Sequence, residues 1–179
     1  MSKILYLQRH AKSSREDDQL DDFDRPLNPR GIHDAHIIKE VVQKRRIMPD
    51  KIYSSPAKRA KQTVQIVREE SLYFEGSQIE YVKKLYDYLE QDPPKFAIKF
   101  VQNLPDIHKE VLIAGHNRML ENLASFFVGE KIHMPTGSLI ALKFNVDQWQ
   151  QVSNDLAKIL FFDTPAKFKN YKDLTLKDL

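Results

Sequence analysis

Short apolar runs alternate with longer amphipathic ones along this chain, and each apolar run stops abruptly at polar residues. Ile4 to Leu7 reads as a first strand. Asn28-Pro29 sets a side-chain acceptor before a proline, the signature of a helix start, and Ile32, Ala35, Ile38, Val41 and Val42 follow at helical spacing. That helix should end before Pro49. Ile52-Tyr53 is the next strand. Ser55-Pro56 repeats the cap-and-proline signature and predicts a helix to about Glu70, with Ala60, Thr63, Val64 and Val67 on one face. Ile79 to Val82 predicts a third strand. Asp92-Pro93-Pro94 predicts the cap of a helix whose apolar face is Phe96, Ala97, Phe100, Val101 and Leu104. Val111 to Ala114 has no polar interruption, as expected of a strand covered on both faces of a parallel sheet. After His116 a helix turns Leu120, Leu123, Ala124, Phe127 and Val128 inward. Ser138 to Phe144 and Leu156 to Phe162 read as late strands at an antiparallel edge, joined through Trp149.

Strand alternating with helix is the α/β pattern, here a three-layer α/β/α sandwich with a mostly parallel central sheet. Its 179 residues are expected to form one domain over 1–165, followed by a charged tail over 166–179. Strand order is not contained in a single sequence.

Composition narrows the function more by exclusion than by assertion. The chain has no cysteine, which removes disulfides, thiolate metal sites and cysteine nucleophiles. Its formal charge is only +3 and its basic residues are dispersed, so nucleic acid is not an expected partner. No apolar run approaches a membrane span or the apolar part of a secretory leader, and a cytoplasmic location is expected. Ser14 to Asp24 is polar and strongly acidic, and reads as a solvated loop at the mouth of a site.

The chemistry gathers where the apolar runs end. The first run delivers Arg9 and His10, the second opens into Ser55-Pro56-Ala57-Lys58-Arg59-Ala60-Lys61-Gln62-Thr63, and the third ends in Gly115-His116-Asn117. An open α/β sheet places reactive groups beyond the carboxyl ends of its strands. Two guanidinium groups and two imidazoles, with no carboxylate among them, suit a phosphoryl group. His33 and His36 stand at i and i+3 on a predicted helix without an evident third ligand, and His108 and His133 fall in loops.

In order and spacing, Arg9-His10, Ser55-Pro56-x-x-Arg59-Ala60-x-Gln62-Thr63 and Gly115-His116-Asn117 resemble the histidine phosphatase superfamily, from residue 3 to about residue 145. Arg9-His10-Ala11-Lys12 and Asp24-Arg25-Pro26-Leu27-x-x-Arg30-Gly31 look most like its SixA-type phosphohistidine phosphatases. The resemblance implies His10 as nucleophile, Arg9 and Arg59 as clamps on phosphoryl oxygens, and His116 as a further donor; with no cysteine, no paired carboxylates and no three-histidine set around the motifs, no metal and no cofactor are expected. Ser13 matches a position that contacts phosphate in the family. Arg25 reads as a rim or structural residue, and Asn117 either orients His116 or caps its helix.

One departure from the family matters. Where many members carry an acidic residue after the third strand, this chain has Lys83-Lys84-Leu85-Tyr86-Asp87, leaving Asp87 as a candidate general acid. An alkoxide leaving group needs a proton, whereas the imidazole of phosphohistidine leaves more readily. The expected substrate is therefore a protein carrying phosphohistidine. A small phosphoester, with Asp87 or a residue of the acidic loop as acid, is the second reading. A non-catalytic phosphate-binding module is the third.

Overall fold

The computed structural model describes residues 2–69, 77–87 and 95–168. Within them, six strands form one sheet in the order β3-β2-β4-β1-β5-β6: β1 (Lys3–Arg9), β2 (Lys51–Ser54), β3 (Ile79–Tyr81), β4 (Glu110–Gly115), β5 (Leu139–Phe144) and β6 (Lys158–Asp163). The first four strands run parallel, while β5 pairs antiparallel with both β1 and β6. The α/β/α sandwich and the antiparallel edge are as the sequence predicts.

Alternation of side chains along each strand divides the core between two faces. Leu5, Leu7, Val111, Ile113, Ile140 and Leu142 point to one side. There they meet Ala97 and Val101 of α4 (Lys95–Gln102) and Leu120, Leu123 and Phe127 of α5 (Asn117–Val128). Tyr6, Ile52, Leu112, Ala114 and Ala141 point to the other side. Ile38 and Val42 of α1 (Pro29–Lys44) and Val64 and Val67 of α2 (Lys58–Arg68) cover them. A short helix, α3 (Lys84–Asp87), follows β3 and was not predicted. Trp149 joins β5 to β6 from a fully buried position, its backbone N–H on Asp106 Oδ1 and its indole N–H on the His108 carbonyl. Phe168 packs on Ile37 and Val41 of α1, and residues 169–179 of the expected tail lie outside the described residues.

Two helix starts differ from expectation. Asn28 does cap α1, accepting from the Gly31 N–H at 2.8 Å. The second helix begins not at Ser55-Pro56 but at Lys58, after an extended Ala57. Ser55 precedes a proline, which disfavours helical backbone, and its N–H is taken by the Ala114 carbonyl at 2.9 Å. The cap of α5 is His116 rather than Asn117, whose Oδ1 is buried without a hydrogen-bond partner. The predicted Asp92 cap lies outside the described residues.

Candidate active site

Sheet register brings the three motifs together. Arg9 stands opposite Gly115, and Ser54 opposite Ala114. One step further along each parallel strand lie His10, His116 and Ser55. The His10 N–H still bonds the Gly115 carbonyl at 3.0 Å, so the strand pairing itself positions the two imidazoles. Their ring centroids are 5.1 Å apart.

The His10 ring is oriented by the backbone. Its Nδ1 lies 2.7 Å from the Ala11 carbonyl oxygen, an acceptor only, so Nδ1 carries the proton and Nε2 keeps a lone pair. The Arg59 Nε–H donates to that Nε2 at 3.3 Å. Burial lowers the His10 pKa to about 4, with the Arg59 and Arg9 cations acting in the same direction and the Ala11 hydrogen bond opposing them. His10 is thus a neutral imidazole at neutral pH, with its free nitrogen facing a cation.

Arg59 is the hub of the site. It occupies the first turn of α2, where helix geometry also favours an anion. Its Nη2 lies 3.3 Å from His116 Nδ1. On its far side, His116 Nε2 is 2.8 Å from the Ser55 hydroxyl, which also accepts the Ala57 N–H at 3.2 Å. Burial, followed by the charges of its neighbours, brings the His116 pKa down to about 3. Arg9 reaches in from β1, with Nη1 on the Met134 carbonyl at 2.5 Å. Its Nε is buried and has no hydrogen-bond partner. Met134 is pinned in turn by Glu121, which accepts its N–H at 2.8 Å and meets His133 Nδ1 at 2.7 Å. Gln62 and Thr63 of the second motif serve the framework. Thr63 Oγ1 accepts the Ala11 N–H at 3.0 Å, and Gln62 Oε1 accepts the Leu27 N–H at 2.7 Å.

The acidic loop is more than a solvated rim. Asp22, in a 3-10 turn, places a carboxylate among the cations: its Oδ2 accepts Arg59 Nη2 at 2.8 Å and its backbone carbonyl accepts Arg59 Nη1. Its Oδ1 takes Arg25 Nη1 at 2.8 Å, and the Tyr86 hydroxyl donates to Oδ2 at 3.3 Å. Burial works to raise the Asp22 pKa, but hydrogen bonds and charge from Arg59 and Arg25 outweigh it and hold the carboxyl below its ordinary value. The strand ends bring no carboxylate to the site; the loop, read as solvated, brings this one. What singles Asp22 out in the sequence is only its neighbour Phe23, an aromatic within a charged run, which meets the Tyr86 ring edge-on at 5.0 Å.

A hollow of about 230 Å³ is lined by Arg9, His10, Lys12, Ser13, Arg15, Asp22, Arg25, Arg59 and Thr136, with His116 buried behind it. Ser13 is in it, but its hydroxyl accepts from Arg25 Nη2 at 2.9 Å. Arg25 also bonds the Ser14 carbonyl, which makes it a brace for the loop as well as a rim residue. Asp87 lines a separate surface hollow with Lys84, Lys95 and Phe96. Among the described residues, no group of three or more histidines and carboxylates is arranged to hold a metal ion, and no helix is long and apolar enough to cross a membrane.

Residues 5–87 match the model of the histidine phosphatase superfamily (branch 1). An uncharacterized chloroplastic protein of Arabidopsis thaliana is 28% identical over 157 residues, covering 84% of this chain and 71% of that protein. The Agrobacterium tumefaciens structure named as a phosphohistidine phosphatase, SixA, superposes with a TM-score of 0.73 at 28% identity, covering 91% of this chain and 98% of that one. A mycobacterial glucosyl-3-phosphoglycerate phosphatase shares the fold with a TM-score of 0.63 at 14% identity, over 89% and 98% of the two chains. The matched motifs, the sheet that carries them and the likeness across nine-tenths of its length make this chain similar to the SixA-type members of the histidine phosphatase superfamily.

Proposed function

We propose that this phosphatase hydrolyses phosphohistidine on a protein, through a phosphohistidine formed on its own His10. The observation that carries the reading is the pairing at His10: Nδ1 is committed to the Ala11 carbonyl while Nε2, neutral and unprotonated, faces the Arg59 guanidinium. That is a nucleophile held beside the cation that would receive the phosphoryl oxygens. Arg59 and Arg9 balance the charge of the in-line displacement, in which positioning and electrostatics supply most of the catalysis. His116 contributes a third contact. Its Ser55 partner can accept from Nε2–H or donate to Nε2, so Nδ1 can accept from Arg59 or donate to a phosphoryl oxygen. The mechanism asks for no metal or cofactor, and exhaustive chelation should leave the rate unchanged.

The protein substrate is supported by the shape and charge of the hollow. It is small, half open, and rimmed by Lys12, Arg15 and Arg25, so it takes a phosphoryl group and leaves the body of its carrier outside. The cytosolic setting expected from the sequence belongs to the same reading. The test is a side-by-side assay on a phosphohistidine-bearing protein and a panel of sugar phosphates and phosphoglycerates. Preference for the phosphoprotein by kcat/KM supports the reading, and preference for any small ester transfers it to metabolite hydrolysis. Phosphate binding without turnover would leave a binding module.

A further inference from the structure

Asp22 and the proposed nucleophile share one guanidinium. His10 Nε2 meets Arg59 at Nε, whereas Asp22 meets the two terminal nitrogens, Oδ2 on Nη2 and the backbone carbonyl on Nη1. A phosphoryl group carried by this guanidinium between His10 and Asp22, attacked in line by His10, would send its leaving group toward the carboxylate. That carboxylate is half exposed, and Arg25 and Tyr86 hold it from the rim, so it can give up Arg59 to an incoming phosphoryl group and stay at the mouth.

We propose that Asp22 is a specificity-determining residue that receives the imidazole leaving group of a phosphohistidine substrate. The proposal rests on the His10 reading above. In the reactive form of phosphohistidine, the ring nitrogen away from phosphorus carries a proton, and the Asp22 carboxylate accepts a hydrogen bond from that N–H. His10 Nε2 forms its bond to phosphorus as the substrate P–N bond breaks. The electron pair stays on the departing nitrogen and the ring leaves neutral with its proton, so none has to be delivered. Water then attacks the phosphorylated His10, the P–O bond forms, the pair returns to Nε2 and phosphate is released. An alkoxide gains nothing from the same arrangement: it needs a proton donor, and a carboxylate still paired with Arg25 is a poor one. The site therefore discriminates between leaving groups by charge.

The experiment compares Asp22→Asn with wild type on a phosphohistidine protein and on p-nitrophenyl phosphate, whose phenolate leaves without a proton. Losing one charge-assisted hydrogen bond should lower kcat/KM on phosphohistidine by about 10- to 100-fold. On the aryl phosphate kcat/KM should rise, because the variant contests Arg59 less strongly. Asp22→Glu, which keeps the charge, should recover part of the preference. An unchanged ratio of the two activities overturns the proposal, as does an equal loss on both substrates. Failure of the underlying reading looks different: wild-type enzyme would then turn over without phosphorylating His10.

Discussion

The Ser55 hydroxyl stands 2.8 Å from His116 Nε2, deep in the protein, with both residues at the ends of adjacent parallel strands. Through this contact the hydroxyl pairs Nε2, accepting from its N–H while Arg59 donates to Nδ1 on the other side of the ring. Ser55→Ala leaves Nε2 facing a methyl group and frees the tautomer. Loss of one oriented donor should lower kcat about 10-fold or more, with little change in KM. The accompanying signature is a changed tautomer in the ¹⁵N shifts of the His116 ring. A wild-type kcat would remove Ser55 from the account.

The two buried imidazoles make stability depend on pH in a defined direction. Their folded pKa values, about 4 and about 3, lie below the ordinary 6.5, so the neutral forms are favoured in the fold. The unfolded chain binds more protons as pH falls below that ordinary value. Stabilisation is thus complete above it and lost progressively toward the folded values, with a limiting slope of about 1.4 kcal/mol per pH unit for each histidine. Urea unfolding at about pH 7 and about pH 5 should show the loss, and His10→Asn should flatten it. A His10 or His116 resonance titrating near its ordinary pKa would contradict the assignment.

Both histidines were legible in the sequence because a strand end is a local signal: an apolar run that stops at polar residues. Arg59 was legible for a similar reason, as part of a dense motif beside a strand. Asp22 was not, since its role depends on a loop folding back over 37 residues of separation to reach Arg59. In a run of solvated charges only the neighbouring Phe23 hints at which one turns inward. Ser55 was read as a helix cap because its sequence context fits one. The pre-proline backbone and the pull of His116 moved the helix start to Lys58. Strand order, which decides that the three motifs converge, arises from long-range pairing.

Arg9 is held through an intermediary. Glu121 accepts the Met134 N–H, and the Met134 carbonyl accepts from Arg9. Glu121→Ala should therefore misplace the guanidinium and raise KM for phosphoryl substrates about 10-fold. Glu121→Gln retains an acceptor for the same N–H and should recover most of that loss. Equal defects in the two variants would point to charge rather than position.

Gly31 shows how closely α1 supports the segment after His10. A Cβ there would lie 2.0 Å from the Lys12 carbonyl oxygen, which accepts the Asn28 N–H at 3.0 Å. Neither backbone can yield without moving the other. Gly31→Ala should cost about 1–3 kcal/mol of stability and reduce activity by shifting the chain beyond His10. Unfolding curves and kcat/KM measured together check both effects, and a variant with wild-type values would show that the contact is slack.

The central claim is that His10 carries the phosphoryl group between substrate and water. The most direct measurement is rapid quenching of the enzyme during turnover into alkali, where phosphohistidine survives, followed by peptide mass spectrometry. The account predicts one phosphoryl group on His10, formed and lost fast enough to support the steady-state rate, labile in acid and missing from His10→Ala. Phosphorylation on any other residue, or full turnover by His10→Ala, would contradict it.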